Sequence, residues 1–368
     1  MFLLQFALLA AMSASVSAGV VHTADARLEG DVAFADGQIT VGGRAVAWDA
    51  VRAVVVAAGA PAVVAAATGT VRWADGEVWR AELIALSAGR VNVSFGVFGK
   101  HEADARRIAA VDFFSSGEPG HDAPGTLFRD QGEPIPGTLL WVDQSRLAID
   151  SPLGVLTLPR QGVMRYVFPA AGKAAVSPAS IDEVGLMDGS ILHGTARAVV
   201  GGVRLEHPIL GTLKLDARAV RSVVRLDGRA WSLARLVPQS VTSAGPFGAA
   251  KKGPRSLSDF GGHGPFFASA LTIQPETAIR YRLDQAKGRA LALRARVEPI
   301  EGARGDARLL ILAGGKTVAE REVVPGAGPD DIAVDLPAAD VEIRVEFGRR
   351  IAFPCGVVLA DAMVVARG

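Results

Sequence analysis

The chain has 368 residues with 39 basic and 38 acidic side chains, which gives a formal net charge of +1. This balance argues against a protein that binds nucleic acid or anionic membranes, because both need an excess of basic residues. Hydrophobic residues make up 49% and charged residues 21%, which excludes a disordered chain. The 42 glycines and 20 prolines favour many short strands over long helices. The single cysteine, Cys355, excludes an internal disulfide framework and a cysteine-rich zinc site.

The first residues have the pattern of an export signal. The apolar run Phe2–Met12 is followed by small residues that end at Val16-Ser17-Ala18, which is typical of a secretory signal peptide over 1–18. A basic residue before the apolar run is missing, and the alternative is a buried first strand or helix. The first interpretation predicts cleavage after Ala18 and a periplasmic or extracellular protein. The uncharged stretch Ala53–Val71 is rich in alanine, so it predicts a strand and a linker and no further transmembrane span.

After this segment the sequence repeats itself four times. Each repeat begins with a polar turn that contains an aspartate and continues with short strand patterns separated by tight turns. Each repeat ends in a valine-rich strand, and one valine recurs at a spacing of 56 or 57 residues. The repeats, called units 1 to 4 below, are predicted at 19–56, 71–114, 127–168 and 186–226, with the recurring valines Val54, Val111, Val167 and Val223.

The size of a unit limits the folds that it can adopt. Four or five short strands are too few for a deep core, so each unit is expected to curl into a small barrel or to pack on its neighbour. The links at 57–70, 115–125 and 169–180 are rich in Ala, Gly, Pro and Ser, which is typical of flexible connectors. The sequence therefore predicts four tandem SH3- or Sm-like β-barrels, with a four-bladed propeller as the alternative.

After unit 4 the pattern changes. A linker rich in Gly, Pro and Lys is predicted over 227–253. Longer strands with strict alternation follow, and Val341–Phe347 places apolar residues on one face and charged residues such as Glu342 and Arg344 on the other. This pattern predicts a β-sandwich or jelly roll over 254–368, and an all-β chain as a whole.

Residues 225–368 contain a series of short motifs in a fixed order. They are a Gly-rich opening, a strand ending in Tyr-x-Leu, a Gly-Lys hairpin and alternating strands before a final Asp, at Gly261–Phe267, Ile279–Leu283, Gly314–Lys316, Ile332–Leu336, Val341–Phe347 and Leu359–Ala362. In these motifs the region resembles the NPCBM family of carbohydrate-binding modules. The resemblance implies a galactose-binding-like jelly-roll fold and a carbohydrate ligand. The tryptophan that the family has before the final Asp is absent from Ile351–Leu359, so we expect a ligand site that differs from the family's.

Motifs of known catalytic machinery are absent from the sequence. There is no Gly-x-Ser-x-Gly elbow, no Walker A motif and no His-Glu-x-x-His, and the six histidines lack the spacing of metal ligands. Glu118, His121 and Asp122 could contact a metal, but a solvated linker is favoured because metal ligands need a rigid frame. A carboxylate pair for glycoside hydrolysis is not tested by sequence, since the separation of its members is spatial. We therefore expect no enzyme activity, no metal and no cofactor.

Candidate ligand residues lie in two loops of the C-terminal region. Sugar-binding modules stack a sugar ring on an exposed aromatic side chain and bind its hydroxyls with polar side chains. His263, Phe266 and Phe267 lie in a Gly-rich loop, where the backbone can approach a ligand, and the alternative is that they plug one end of the sandwich. Arg349 and Arg350 follow an alternating strand in a turn, and the alternative is a solvated turn. These five residues are the predicted carbohydrate-binding residues.

Phe260 and Phe353 are further aromatic candidates of this region without an assigned role, whereas Tyr281, Phe347, the tryptophans of the repeats and the cysteine are interpreted as core. Apolar side chains of this size are mostly buried, and their phase along the strand patterns agrees with burial. This set comprises Trp48, Trp73, Trp79, Trp141, Tyr281, Phe347 and Cys355.

Two functions remain open from the sequence. The first is an exported, non-catalytic binding protein whose C-terminal jelly roll contacts a polysaccharide or another glycan. The second is a structural or scaffold protein of the cell envelope, whose β repeats contact other envelope proteins. The family resemblance favours the first function, and the missing tryptophan with only two tyrosines favours the second. No nucleic-acid partner is expected for either.

Overall fold

In the computed structural model the described residues are 16–56, 69–95, 98–113, 123–169, 182–234, 236–244, 270–286 and 288–367. Within these ranges every regular element is a β-strand, apart from short 3-10 turns, so the chain is all-β as predicted. No helix of these ranges is long and apolar enough to cross a membrane. Most of the predicted signal peptide and of the predicted links lies outside the described residues.

The four units share one order of strands. Each has a first strand, a long second strand that bends, a third and a fourth strand joined by tight turns, and a fifth strand. In units 2 and 3 the bend divides the second strand into two. Unit 1 contains β1 (Val16–Thr23), β2 (Arg27–Ala35), β3 (Gln38–Val41), β4 (Arg44–Ala47) and β5 (Val51–Val56). Unit 2 contains β6 (Thr70–Trp73), β7 (Val78–Trp79), β8 (Glu82–Ser87), β9 (Arg90–Phe95), β10 (Gly99–Asp104) and β11 (Ile108–Asp112). Unit 3 contains β12 (Thr126–Arg129), β13 (Ile135–Pro136), β14 (Thr138–Val142), β15 (Arg146–Ser151), β16 (Gly154–Pro159) and β17 (Val163–Val167). Unit 4 contains β18 (Asp182–Leu186), β19 (Ile191–Val199), β20 (Gly202–His207), β21 (Gly211–Asp216) and β22 (Val220–Arg225).

The bend of the second strand brings two stretches of backbone into close contact. In unit 4 the bend lies at Gly194 in β19, where a Cβ atom would lie 2.4 Å from the carbonyl oxygen of Glu206. In unit 3 Gly137 lies between β13 and β14, and its Cβ would lie 2.3 Å from the carbonyl oxygen of Asp150. No side chain fits at such distances, so the glycines permit the second strand to bend, and in unit 3 the bend carries it from the 16-stranded sheet into the six-stranded sheet.

Strand pairing follows the same scheme in every unit. The first strand lies between the second and the fifth, the second pairs with the third, and the third pairs with the fourth. The described strands of none of the units close into a barrel, so the prediction of SH3- or Sm-like barrels is not confirmed. Strands of all four units instead belong to one 16-stranded sheet, and a second, six-stranded sheet is shared by units 2 and 3. This sharing also differs from a propeller, whose blades are separate sheets.

Neighbouring units join through equivalent strands. The fifth strands β11 and β17 join units 2 and 3, where Val111 pairs with Tyr166. The fifth strands β5 and β22 join units 1 and 4, where Val54 pairs with Val223. The second strands β7 and β19 join units 2 and 4. The units therefore follow one another in space in the order 3, 2, 4, 1, and at each of these three joints a strand of one unit covers the edge of the equivalent strand of its neighbour.

The four recurring valines all lie on fifth strands and are all buried. Val54, Val111 and Val223 pair with equivalent residues of the first strands. In unit 3 the residue in that register is Tyr166, and Val167 lies one position further along β17. The predicted equivalence is therefore wrong by one residue in unit 3. Both faces of these strands are buried, so the run of apolar residues does not mark the register.

The C-terminal part is a sandwich of two five-stranded antiparallel sheets, in agreement with the predicted β-sandwich. Leu293, Ile311 and Ile343 are among the fully buried residues of its core. Segment 227–253, predicted to be a linker, contributes an edge strand to each sheet. The first sheet contains β23 (Ala230–Ser232), β25 (Ala270–Ile273), β27 (Ala290–Pro299), β30 (Asp330–Leu336) and β32 (Val357–Arg367). The second contains β24 (Ser240–Ser243), β26 (Thr277–Arg282), β28 (Ala307–Ala313), β29 (Lys316–Val323) and β31 (Asp340–Phe347).

The charged face of β31 differs from the prediction. Glu342 is 7% exposed, because the side chains of Arg280 and Arg344 cover its carboxylate. Arg280 Nε donates to Glu342 Oε2 at 2.5 Å, and Arg344 Nη2 donates to Glu342 Oε1 at 2.6 Å. Burial alone would raise the pKa of Glu342, but the hydrogen bonds from the two guanidinium groups lower it below its usual value. The alternation in the sequence correctly predicts which face of β31 carries the charged residues. It does not predict that Arg280 and Arg344 cover the carboxylate of Glu342.

The sandwich packs against unit 1 and unit 4 through its first sheet. Ala53, Val224, Ala292 and Met363 belong to a small apolar cluster at this junction. Arg294 is 2% exposed and donates from Nη1 to the carbonyl oxygen of Thr23 at 2.8 Å and from Nη2 to that of Ala24 at 2.7 Å. A buried guanidinium with backbone acceptors fixes the sandwich to the first turn of unit 1.

Candidate functional site

The two arginines predicted as ligand residues lie in the loop that follows β31. This loop, 348–356, crosses from the second sheet of the sandwich to the first at one end of the domain. The side chain of Arg349 is 89% exposed and that of Arg350 is 58% exposed. His263, Phe266 and Phe267 lie outside the described residues, so their role stays a prediction.

Asp306 holds the loop in place from the neighbouring turn. Its Oδ2 accepts a hydrogen bond from the backbone nitrogen of Arg350 at 3.1 Å, and its Oδ1 accepts one from Nη2 of the same residue at 3.3 Å. The backbone nitrogen of Asp306 donates to the carbonyl oxygen of Arg350 at 2.9 Å, and its carbonyl oxygen accepts from Gly348 at 2.9 Å. Asp306 itself is 8% exposed. These four bonds give the base of the Arg350 side chain a defined position.

The apolar part of the loop faces solvent. Ile351 is 67% exposed and Phe353 is 51% exposed. The ring of Phe353 meets that of Phe347 at an interplanar angle of 86°, with 5.7 Å between the centroids. This edge-to-face contact orients Phe353 while half of its surface remains in water.

We call the exposed surface of Arg349, Arg350, Ile351 and Phe353 the loop-end patch. An exposed aromatic ring can stack against the C–H groups of a sugar, and guanidinium groups can donate to sugar hydroxyls. Arg349 Nε lies 3.4 Å from Glu322 Oε1, so its charge has a partner at the rim of the patch. The arrangement suits binding of a polar ring and does not by itself supply a reaction.

Sequence reasoning named Phe353 among the aromatic candidates of this region but did not include it in the predicted ligand site. It predicted the pair Arg349 and Arg350, which the structure brings together with Phe353 in one loop. A phenylalanine one residue before a proline and outside the alternating strand was the available signal. The alternation ends at Phe347, and nothing in the sequence distinguishes an exposed from a buried ring beyond that point.

The residues predicted as core agree with the structure except for Trp141 and Phe347, of which Phe347 is only half-buried at the end of β31. Trp48, Trp73 and Trp79 are buried, and burial raises the pKa of buried Tyr281. Trp141 is only half-buried in β14 and lies outside the core cluster of the units. Cys355 is 3% exposed, and burial raises the pKa of its thiol, so it is not an activated nucleophile.

A second polar cluster lies between units 2 and 4. Glu77 accepts hydrogen bonds from Trp79 Nε1 at 3.0 Å, from the backbone nitrogen of His193 at 2.6 Å and from His207 Nε2 at 2.9 Å. His207 Nδ1 accepts from the backbone nitrogens of two following residues, so the ring proton is on Nε2. The side chains of Glu77 and His207 are 2% and 0% exposed, so a substrate cannot reach them and the cluster stabilises the joint.

The described residues show no candidate metal site. Among the described residues no group of three or more His, Cys, Asp or Glu side chains is arranged to hold a metal ion. Glu118, His121 and Asp122, for which a solvated linker was favoured over a metal contact, lie outside the described ranges.

Comparisons with known proteins place carbohydrate-binding modules among the similar structures. No family model matches the chain, and no curated protein matches it. A CBM51 module from Clostridium perfringens, solved with methyl-galactose, is 11% identical, covers 37% of this chain and 99% of its own, and has a TM-score of 0.28. The tandem CBM51 modules of a family 98 glycoside hydrolase from Streptococcus pneumoniae are 10% identical, cover 91% of this chain and 88% of their own, and have a TM-score of 0.31. A CBM36 module solved with calcium and xylotriose is 12% identical, covers 37% of this chain and 98% of its own, and has a TM-score of 0.20. The NPCBM family is not confirmed by these comparisons.

Proposed function

We propose that this protein is a non-catalytic binding protein that holds a carbohydrate on the loop-end patch of its C-terminal sandwich. The observation that carries the proposal is the half-exposed ring of Phe353 beside Arg350, whose backbone is fixed by Asp306. An aromatic face and a positioned hydrogen-bond donor are the two elements that a sugar site needs. Both oxygens of Asp306 accept hydrogen bonds from Arg350, so this carboxylate is committed to the frame of the site.

Removal of the two side chains tests the proposal. Phe353→Ala and Arg350→Ala should each weaken binding to a soluble polysaccharide by about 1–3 kcal/mol, because each contact is desolvated in the complex. Isothermal calorimetry against a panel of neutral polysaccharides, which includes galactose polymers and xylan, measures the loss.

Two exposed residues of the same domain provide matched controls. Val237 is 86% exposed, and the side chain of Arg321 is 48% exposed. Val237→Ala and Arg321→Ala should leave the affinity unchanged. Equal losses in all four variants, or a wild-type chain that binds no member of the panel, would contradict the proposed site.

We further propose that the protein is exported. The support is the apolar run and the small residues of Met1–Ala18. Strand β1 begins at Val16, so cleavage after Ala18 would leave Gly19–Thr23 paired with β2 and β5. Mass spectrometry of the protein from its native cells should find an N-terminus near Gly19, and a chain that keeps Met1 would refute export by this route.

The four units support a finer proposal about their fold. We infer that they are four copies of one SH3-like unit. The barrel of each copy stays open because its strands pair with strands of a neighbouring unit. The shared strand order and the short 3-10 turn before the fifth strand support it, at Trp48–Ala50, Ala105–Arg107 and Ala217–Ala219. An experimental structure in which the four units superpose strand by strand is the test, and a different strand order in any unit would refute the proposal.

A scaffold function is the second candidate, and one observation favours it. Strand β16 of unit 3 lies at the edge of the six-stranded sheet and carries no charged residue. Leu153, in the turn before it, is 89% exposed and Val155 is 62% exposed. An uncharged, apolar edge strand can accept another strand in antiparallel pairing. Sedimentation of the pure chain should then reveal self-association that Val155→Lys abolishes, whereas a chain that stays monomeric at high concentration would count against this function.

A further inference from the structure

A cleft of about 370 Å³ lies between units 1 and 4, far along the chain from the loop-end patch. Its volume falls within the range of small-molecule sites in proteins. Unit 1 contributes the turn before β3 and the turn before β5, and unit 4 contributes the outer face of β19 and β20. The side chains that matter for its chemistry are Asp36, Trp48, Asp49, Arg197, Arg204 and Arg225.

Two arginines at the cleft form a like-charge pair. Arg197 on β19 and Arg204 on β20 are direct cross-strand partners, and both side chains are on the exposed face. Arg204 Nε lies 3.5 Å from Glu206 Oε1, and no carboxylate of the described chain lies within 4.0 Å of Arg197. Like charges directly opposite each other destabilise a sheet. A local feature that costs stability without compensation is expected where a ligand supplies the missing partner.

A third guanidinium group lies deeper in the same cleft. The side chain of Arg225 is 17% exposed, and its central carbon lies 5.2 Å from the ring centroid of Trp48. Its Nη2 donates to the carbonyl oxygen of Trp48 at 2.9 Å, while its Nε is buried and has no hydrogen-bond partner among the described residues. Among the described residues the carboxylate oxygen nearest to this guanidinium group is Oδ1 of Asp182, which lies 3.9 Å from Nη1. The inner end of the cleft thus carries a third positive charge, which has no carboxylate of the described residues within hydrogen-bond distance.

Unit 1 supplies hydrogen-bond acceptors on the opposite side. Asp36 and Asp49 are exposed carboxylates at the two turns that border the cleft. A small inorganic anion would gain nothing from them, because carboxylates repel it. A ligand with both an anionic group and hydroxyl groups uses both sides, since its hydroxyls donate to the aspartates.

We propose that this cleft binds an acidic sugar residue, with its carboxylate or sulfate group between Arg197 and Arg204 and its hydroxyls toward Asp36 and Asp49. The site is distinct from the loop-end patch and adds a second class of glycan, the acidic one, to the proposed function. The planar guanidinium groups match the geometry of a carboxylate or sulfate in bidentate pairing. The site does not depend on whether the sandwich binds a neutral sugar.

Calorimetry of the full chain with four probes tests the assignment. The probes are trigalacturonate, galactose 6-sulfate, neutral galactotriose and inorganic sulfate. Trigalacturonate or galactose 6-sulfate should bind at least about tenfold more tightly than galactotriose and inorganic sulfate, because only an acidic sugar uses both sides of the cleft. Preferential binding of trigalacturonate would identify the acidic group of the ligand as a carboxylate. Preferential binding of galactose 6-sulfate would identify it as a sulfate.

Variants locate the site and separate it from the loop-end patch. Arg197→Gln and Arg204→Gln should each reduce the affinity for the acidic probe by about tenfold or more. The same variants should melt at an equal or higher temperature without ligand, because they relieve like-charge repulsion. Arg218→Gln, at an exposed arginine of the same unit that pairs with Asp216, and Phe353→Ala should leave this affinity unchanged.

Three results would overturn the proposal. One is equal affinity for acidic and neutral sugars, and another is binding of inorganic sulfate as tight as that of the acidic sugars. The third is acidic-sugar binding that survives Arg197→Gln but is lost in Phe353→Ala, which would assign the ligand to the loop-end patch and leave the neutral-sugar proposal to its own test.

Discussion

Asp361 is a buried carboxyl group in β32 at the junction between unit 1 and the sandwich. It is 1% exposed, and Nη2 of Arg27 lies 3.9 Å from its Oδ2. Burial raises the pKa of Asp361 to about 6, against the lowering effect of Arg27 and Arg296, and the carboxylates of Glu29 and Asp331 add to the rise. Arg27 is shared, since its Nη1 lies 3.0 Å from both Glu29 Oε2 and Asp331 Oδ2. The ionised form of Asp361 is therefore poorly compensated at neutral pH.

Replacement of this carboxyl by an amide should stabilise the protein at neutral pH. The folded state keeps the proton up to about pH 6, while the unfolded chain releases it near 3.8, so wild-type stability falls as the pH rises through this window. Asp361→Asn should raise the free energy of unfolding by up to about 3 kcal/mol at pH 7 and should change it little below pH 4. Urea unfolding at both pH values measures the difference, and an equal effect at the two would contradict the assignment.

His22 gives the opposite dependence at the same junction. Its ring is fully buried, and desolvation, with the charges of Arg27 and Arg294, lowers its pKa to about 3. A lowered pKa in the folded state means that its contribution is fully present above about pH 6.5 and is lost as the pH falls toward 3. Between about pH 4 and pH 6 the effects of Asp361 and His22 on the free energy of unfolding have opposite signs. The pH profile of the wild type therefore shows neither effect by itself, and single variants are needed to separate them.

At the scale of the strand, the bend at Gly194 sets the shape of unit 4. A Cβ atom there would also lie 2.9 Å from a methyl group of Leu205, so both backbone and side chain would have to shift. Gly194→Ala should lower the free energy of unfolding by about 1–3 kcal/mol, because a well-packed site must deform to accept the methyl group. Chemical denaturation of the variant beside wild type measures this.

Gly328 provides the matched control for this substitution. It lies in the loop before β30, and no atom lies within 4 Å of a Cβ built on it. Gly328→Ala should therefore change stability by less than about 0.5 kcal/mol. Equal effects of the two substitutions would mean that the bend has no steric basis.

The sequence predicts the strands well and their partners poorly. The period near 56 residues and the alternation in Val341–Phe347 follow from local patterns, and both appear in the structure. The pairing of Val54 with Val223 does not follow from local patterns, because the two residues belong to units that are far apart in the sequence and no local signal links them. For the same reason Trp231, in the predicted linker, could not be recognised as part of an edge strand that pairs with Val364. Phe353 was an aromatic candidate without an assigned role, because the exposure of its ring depends on the neighbours that the loop meets in space.

At the scale of the whole molecule, one buried side chain connects the units to the sandwich. Arg294 spans the junction to the carbonyl oxygens of Thr23 and Ala24. Arg294→Leu should lower the free energy of unfolding by about 2–4 kcal/mol, because it leaves two buried acceptors without donors. Calorimetric melting should also separate into two transitions as the sandwich and the units lose their coupling.

An exposed arginine of the same domain controls for the loss of charge. Arg321→Leu removes a side chain that is 48% exposed and should leave a single transition at nearly the wild-type temperature. A single transition in Arg294→Leu as well would mean that the apolar cluster at the junction is sufficient to couple the two parts.

The order of the units in space has a consequence for how the chain emerges from the ribosome. Units 2 and 3 are neighbours in both sequence and space, so they can pair as soon as the second of them is synthesised. Unit 1 is made first, but its partner is unit 4, and the whole of units 2 and 3 lies between them. Until unit 4 is complete, β5 presents six consecutive apolar or long-stemmed residues, Val51–Val56, at an open edge. We therefore expect nascent unit 1 to be the part of the chain that most needs protection by a chaperone, because long-range strand pairing is slow and open edges aggregate.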